Sequence, residues 1–396
     1  MKFVVAGYGS RGDVEPCIAV ARELLRRGHD VRLAVTVPPD MLAFVESAEL
    51  TAVPYGRDWQ AQLRDEDFVR MIQNPISAIH QAVEYVTQVW AEKSTTLISL
   101  TNEADLLLAG ITEQRLAANV ADYYGIPLAA LHFFPQQILE LKSPHGSVTT
   151  EAEHAQRRAL GLPDATGPST RPMVEHESLE IQAYEELCFP GLKDEWGGRR
   201  PFVGALTLEL PTDADDEVLS WIAAGTPPIY FGFGSTPVAS HTDTIAAISA
   251  ACALIGERAL ICMGPNDRNH IPHVDAVKVV DAVNHTTVFP ACSAVVHHGG
   301  AGTTAAGLRA GIPTLILWNG LDQPLWAAVV KQLEVGFGRR FSESTAESLV
   351  ADLRLILTPQ YATRARAVAS QMTKPAESLA STADLLEHAA RQGREG

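Results

Sequence analysis

Gly7-Tyr8-Gly9-Ser10-Arg11-Gly12-Asp13 and His297-His298-Gly299-Gly300-Ala301-Gly302-Thr303-Thr304 are two glycine-rich turns nearly three hundred residues apart. An apolar strand leads into each, and each opens a helical pattern. The first ends in a carboxylate that can take a proton. The second offers imidazole, hydroxyls and unhindered backbone N–H groups, a combination that receives an anion at the start of a helix. Together they predict a cleft between two nucleotide-fold halves, with the chemistry shared across it.

Outward from the first turn, Phe3–Ala6 is a short apolar run, Val14 to Arg27 carries apolar residues at helical spacing up to Gly28, and Val31–Val35 follows as the next strand. Leu106–Ala109 and Leu128–Leu131 read as further buried strands, so the first half is a parallel α/β layer. Ser143 to Gly198 is polar and rich in Pro and Gly, a region of loops and short helices. Alternation restarts at Ile229–Phe233, Ala259–Cys262, Lys278–Val280, Ala294–Val296 and Thr314–Leu317, a second α/β layer beyond a linker near Arg200–Pro211. Pro359 to Gly396 reads as helix with a break at Pro375.

The chain has 396 residues, more than the ~250–300 at which single cores stop growing, which predicts two domains. Its net charge of −16 argues against a protein that neutralises nucleic-acid phosphates. An anionic ligand must then be held by local donors. The five cysteines, Cys17, Cys188, Cys252, Cys262 and Cys292, are scattered without a C-x-x-C pair, as in a reducing compartment. A strand begins directly after Met1-Lys2, and no apolar run approaches the ~20 residues of a spanning helix. The expectation is a soluble, cytoplasmic protein with at most peripheral membrane contact and no nucleic-acid partner.

The first turn satisfies G-x-G-x-x-G at Gly7, Gly9 and Gly12, which invites a dinucleotide reading. That reading needs an acidic residue or an Arg after the second strand, where this chain has Thr36-Val37-Pro38. Asp13 is either an N-cap of the helix, with Pro16 inside the first turn, or a general base aimed into the cleft. Backbone donors and the positive helix end lower a carboxylate's basicity, so the two roles compete. Ser10 and Arg11 either reach a diphosphate or lie on the surface. In the second turn, Gly299, Gly300 and Gly302 allow close backbone approach, and Thr303 and Thr304 begin the helix, so the turn reads as a phosphate cradle. His298 would add a donor that becomes charged when a diphosphate raises its pKa. His297 is expected to be structural.

Asp322-Gln323-Pro324 follows the strand Thr314–Leu317 at the same sheet edge, a cap or a pair able to hold vicinal hydroxyls. Ser235, after Phe231-Gly232-Phe233-Gly234, either donates to a phosphate or merely ends a turn. Asp65-Glu66-Asp67 and Asp213-Ala214-Asp215 have the D-x-D form that chelates metal, yet both lie in solvated charged stretches, so no metal is expected. Trp59, Phe68, Trp90, Phe133 and Phe134 are candidates for an apolar acceptor pocket or for core.

Gly9-Ser10-Arg11-Gly12-Asp13-Val14-Glu15-Pro16, the run His297 to Thr304, Gly311-Ile312-Pro313 and Asp322-Gln323-Pro324 together resemble the GT-B nucleotide-sugar glycosyltransferases. The branch is that of glycopeptide-antibiotic, sterol and glycopeptidolipid glycosyltransferases. The resemblance implies an α/β fold of two Rossmann-like parallel-sheet domains facing across a cleft. Residues 1–205 would bind the acceptor, 206–374 the nucleotide sugar, and 375–396 would form a helix packing back on the first domain. It further implies an inverting, metal-independent transfer of a hexose or deoxyhexose from a UDP- or dTDP-sugar, with no cofactor, to a hydroxyl of a largely apolar glycopeptide, polyketide or similar acceptor. A sterol, lipid or lipopeptide acceptor is the alternative. An oxidoreductase or a silent sugar-nucleotide binder is the reading from other classes.

By that resemblance Asp13 is the base. His298, Gly299, Gly300, Ala301, Gly302 and Thr303 hold the diphosphate, and Asp322 and Gln323 bind the sugar. Ser10, Arg11, Gly12 and Ser235 contribute to the donor site. Related plant enzymes hold ribose with a Glu where this chain has Ala306, and use a His as base where it has Asp13.

Overall fold

The computed structural model describes residues 1–36, 39–58, 79–136, 146–163, 178–234, 240–263 and 275–395. They form two compact units. One comprises Met1–Glu186, Pro190–Leu208 and Lys374–Gly396, the other Leu187–Phe189 and Glu209–Thr373.

The first unit holds a six-stranded sheet of β1 (Lys2–Gly7), β2 (Asp30–Val35), β3 (Ala52–Pro54), β4 (Leu106–Ala109), β5 (Leu128–His132) and β6 (Leu179–Gln182). Their spatial order is β3-β2-β1-β4-β5-β6, and every pairing is parallel. The second unit holds β7 (Ile229–Gly232), β8 (Ala259–Cys262), β9 (Val277–Val280), β10 (Ala294–His297), β11 (Thr314–Trp318) and β12 (Gly336–Arg340). Its order is β12-β11-β10-β7-β8-β9, again all parallel. Counted within its own sheet, each unit therefore has the doubly wound order of a dinucleotide-binding fold.

That order fixes where ligands can go. The connection reverses direction between β1 and β4 in one sheet and between β7 and β10 in the other. At such switch points a crevice opens at the carboxyl ends of the strands. The first glycine turn leaves the carboxyl end of β1 and the second leaves that of β10.

β3, β6 and β12 escape a reading of the sequence for the same reason: all three are edge strands. Central strands of a parallel sheet are covered on both faces and read as continuous apolar runs, whereas edges are short or polar. β12 is Gly336-Phe337-Gly338-Arg339-Arg340, and β6 lies inside the polar stretch. In the second unit, Ile229 and Phe231 pack with Val296 and Leu315 in one core layer, while Tyr230, Leu260 and Val295 pack in another. The alternation is the period of two that puts successive side chains on opposite faces of the sheet.

The helices used below are α1 (Arg11–Arg26), α2 (Ile79–Thr101), α3 (Gln114–Tyr124), α4 (Ala301–Ala310), α5 (Gln323–Gln332), α6 (Pro359–Ala369) and α7 (Pro375–Glu395). The chain breaks between α6 and α7, where Pro375 cannot continue a preceding helix. α6 packs on α4, and Arg309 Nε donates to the Thr373 carbonyl at 3.0 Å. α7 packs on α1 and β4 of the first unit. Arg27 reaches Asp384 at 2.6 Å and Glu387 at 3.0 Å, and Arg394 pairs with Asp105.

α1 begins earlier than its apolar spacing indicates. Ser10 is the N-cap and Asp13 the third helical residue, so the N-cap reading of Asp13 is corrected. Pro16 accordingly lies beyond the first turn, and its ring nitrogen cannot return a hydrogen bond to the Gly12 carbonyl. The cause is local: Asp13 reaches back to the Ser10 amide and winds the first turn three residues ahead of Val14.

Candidate active site

In the first unit, Asp13 Oδ2 accepts the Ser10 backbone N–H and the Ser10 hydroxyl, each at 2.8 Å. Oδ1 takes no hydrogen bond among the described residues. Gly9, with φ of +134°, makes this possible, since a Cβ there would fall on the Asp13 carboxylate. Burial pushes the Asp13 carboxyl above its ordinary value, and the two Ser10 bonds only partly offset it. Desolvation outweighs them, and one oxygen stays available to take a proton.

Arg11 is exposed, with Nε 2.9 Å from Glu15 and its guanidinium 4.4 Å over the Phe44 ring. It lies on the surface of its unit, a placement compatible with either alternative open from sequence. Gly12 is exposed, and a Cβ there would meet only the Ser10 hydroxyl, at 3.7 Å.

In the second unit each glycine of the turn has a different cause. Gly299, at φ +98°, sits where a Cβ would be 2.8 Å from Ile316 and 3.0 Å from Gln323. Gly300 leaves room for the His298 ring, since its Cβ would lie 2.8 Å from Nε2, and Gly234, at φ +57°, does the same on the Cε1 side. Gly302 is unlike both. It is exposed inside the first turn of α4, needs no unusual φ, and a Cβ on it would meet nothing within 4 Å. A glycine in a helix costs about 1 kcal/mol against alanine, so neither packing nor backbone accounts for it.

Geometry leaves the N–H groups of Ala301, Gly302 and Thr303 without acceptors inside α4, while Thr304 bonds back to Gly300 through both N–H and hydroxyl. His297 is fully buried, and its Nδ1 accepts the Gly299 N–H at 3.1 Å, which places the ring proton on Nε2 and ties the turn to the strand. Burial holds His297 well below its ordinary pKa, and lowers His298 as well against a weaker opposing contact with the Gly232 carbonyl. Without a ligand, His298 is therefore neutral near pH 7.

Gln323 Oε1 accepts the N–H groups of Asn319 and Gly320, at 2.8 and 3.4 Å, and Trp326 Nε1 donates to Asp322 at 3.1 Å. The pair therefore shapes the loop between β11 and α5, and the Gln323 oxygen is already engaged. Asp215 is committed to Thr212 and to the Asn284 N–H, which removes the D-x-D reading at Asp213 and Asp215. Ala306 packs against the apolar core. Ser235, Trp59, Phe68 and Asp65-Glu66-Asp67 lie outside the described residues. Trp90 belongs to the core of the first unit, Phe133 is buried and Phe134 half-buried. Among the described residues no helix is long and apolar enough to cross a membrane.

The Gly299→Ala substitution is expected to destabilise the second unit by about 1–3 kcal/mol, through a strained positive φ and the clash with Ile316. A thermal melt reads this as a midpoint several degrees lower.

Residues 3–121 match the family described as "Glycosyltransferase family 28 N-terminal domain", and residues 245–386 match "Erythromycin biosynthesis protein CIII-like, C-terminal domain". An "Uncharacterized glycosyltransferase Rv1524" of Mycobacterium tuberculosis is 60% identical over the whole of both chains. The chain is a GT-B glycosyltransferase. The enzyme is also similar to glycosyltransferase GtfE of Amycolatopsis orientalis, 29% identical over 98% of this chain and 97% of the other. Its fold matches the crystal structure of glycosyltransferase VinC in complex with dTDP, with a TM-score of 0.68 and 20% identity over 99% of this chain and 100% of that one. The two family matches take in Asp13 on one side and the turn from His297 to Thr304 on the other.

Proposed function

We propose that this glycosyltransferase moves a sugar from a UDP- or dTDP-sugar to a hydroxyl of a largely apolar acceptor, with inversion and without a metal. The observation that carries the reading is the exposed Gly302 in the first turn of α4, where a Cβ would meet nothing within 4 Å, at a helix start whose first N–H groups have no acceptor inside the helix. A diphosphate has the charge that such a helix start receives. The dTDP bound to VinC supports a nucleotide of this class. A diphosphate above His298 would raise its pKa and make the ring a charged donor. The Gln323 NH2 and the Asp322 carboxylate would hold sugar hydroxyls, while the Gln323 oxygen keeps the loop closed.

An acceptor hydroxyl is far too weak an acid to ionise freely at pH 7. It would attack the anomeric carbon as Asp13 Oδ1 takes its proton, while the amides stabilise the departing diphosphate. This requires the first unit's turn and the second unit's turn to meet across a cleft during turnover. Acceptors of the antibiotic-aglycone kind are proposed first, on the match to the erythromycin biosynthesis protein CIII-like domain.

A thermal-shift panel of UDP- and dTDP-sugars tests the donor class. A ligand present at about 100 times its Kd stabilises the native state by about 2.7 kcal/mol. One nucleotide series is expected to raise the melting midpoint by several degrees, also in the presence of EDTA. A shift that needs a divalent cation contradicts metal independence, and no shift with either series contradicts the donor class.

A further inference from the structure

Beneath the first glycine turn lies a set of buried charges that the transfer chemistry does not use. Lys93, on α2, and Glu113, between β4 and α3, form an ion pair of 2.7 Å with side chains 6% and 0% exposed. Tyr55, itself buried, donates its hydroxyl to the other Glu113 oxygen at 2.5 Å. Lys93 Nζ stands 4.3 Å from the centre of the Tyr8 ring and 5.6 Å from that of Tyr55.

Tyr8 is the residue between the first two glycines of the turn. Its carbonyl accepts the Thr112 hydroxyl at 2.6 Å. Gly56, at φ +72°, has no side chain where a Cβ would strike the Tyr8 ring. The turn is therefore gripped by ring and by backbone, from the end of β3, from α2 and from the end of β4.

A buried ion pair is a poor way to gain stability, because well-packed apolar residues of similar volume are often as good or better. A cation held under an aromatic face, in contrast, fixes where the ring sits. We propose that Lys93, Glu113 and Tyr55 are positioning residues that hold Tyr8, and through it the Gly7–Asp13 turn, in the geometry that aims the base. The inference rests on the role proposed for Asp13. Among the described residues its carboxylate is hydrogen-bonded only to Ser10 of the same turn, so the base moves wherever the turn moves. A displacement of about 1 Å at a reacting group costs roughly 10²-fold in rate.

The test uses the full chain and three variants: Lys93→Met/Glu113→Leu/Tyr55→Phe, which removes all three polar partners together and orphans none, Tyr8→Leu, and the combination of both. Hydrogen exchange at the Gly9, Ser10 and Asp13 amides, each hydrogen-bonded within the unit, is measured first because it needs no substrate. These amides are expected to exchange at least tenfold faster in both single sets, with Phe3–Ala6 of β1 unchanged and the melting midpoint not lowered. In transfer assays kcat is expected to fall at least tenfold with donor affinity retained, and the combined variant should be no worse than either set, since both act through one turn. Unchanged exchange at those amides, multiplicative losses of kcat, or loosening throughout β1 with a lowered midpoint overturns the proposal. Absence of any sugar transfer by the unsubstituted enzyme counts against the proposed function, and the exchange result still decides the positioning role.

Discussion

Asp13→Asn is expected to lower kcat by ~10²–10⁴, the range contributed by a positioned general base, while leaving donor affinity unchanged. The substitution is nearly isosteric, and the Asn oxygen can still accept the Ser10 N–H that closes the first turn of α1. What is lost is the capacity of the second oxygen to take a proton. Single-turnover rates and donor binding measured separately distinguish this from a structural effect. Near-normal turnover would return Asp13 to a purely structural place in the helix.

The same carboxylate predicts a pH dependence with a definite sign. Its folded-state pKa is raised above the ordinary 3.8 by burial. A base must be ionised to act, so activity should fall on the acid side at a pH above the usual carboxylate range, and that limb should vanish in the Asn variant. Stability runs the other way. A carboxyl with a raised folded pKa supports the fold while protonated, fully so below its unfolded value, and that support is lost as pH rises through the folded one. At neutral pH the ionised group is therefore a burden, and Asp13→Asn should melt no lower than the unsubstituted enzyme. A variant slower by orders of magnitude yet no less stable is the signature of a group kept for chemistry.

Gly302→Ala should behave as the complement. The backbone there is ordinary helix and a methyl group meets nothing within 4 Å, so stability should rise by up to ~1 kcal/mol from helix propensity alone. If a diphosphate sits against this position, the methyl group intrudes on it, and overfilling a packed contact costs about 1–3 kcal/mol, or ~5- to 150-fold in donor Kd. Calorimetric titration of UDP and dTDP into both forms reads the difference. Equal affinities would mean that the space at Gly302 belongs to no phosphate.

Much of the fold was legible because central strands of a doubly wound sheet must be apolar on both faces, as Leu106–Ala109 and Ala294–His297 are. Edge strands carry no such requirement, which hid Ala52–Pro54 and Gly336–Arg340. Both glycine turns were legible as turns, but their spacing could not tell which glycine serves what. Gly299 and Gly300 answer to Ile316 and His298, and only Gly302 stands before open space. The balance at Asp13 could not be read from sequence, which displays nearby donors and conceals desolvation.

Lys93 and Glu113 were invisible for a further reason. Ala91-Glu92-Lys93-Ser94 carries no motif, and no spacing rule joins it to Tyr55 and Glu113. Only the fold brings them under Tyr8.

The central claim is that the donor's diphosphate rests on the amides opening α4. With the glycine and threonine amides labelled for NMR, addition of UDP or dTDP is predicted to shift the resonances of Gly299, Gly300, Gly302 and Thr303 together, in a saturable way. Saturable binding that leaves those four resonances in place and moves the amides of Gly7, Gly9 and Gly12 instead would contradict the account.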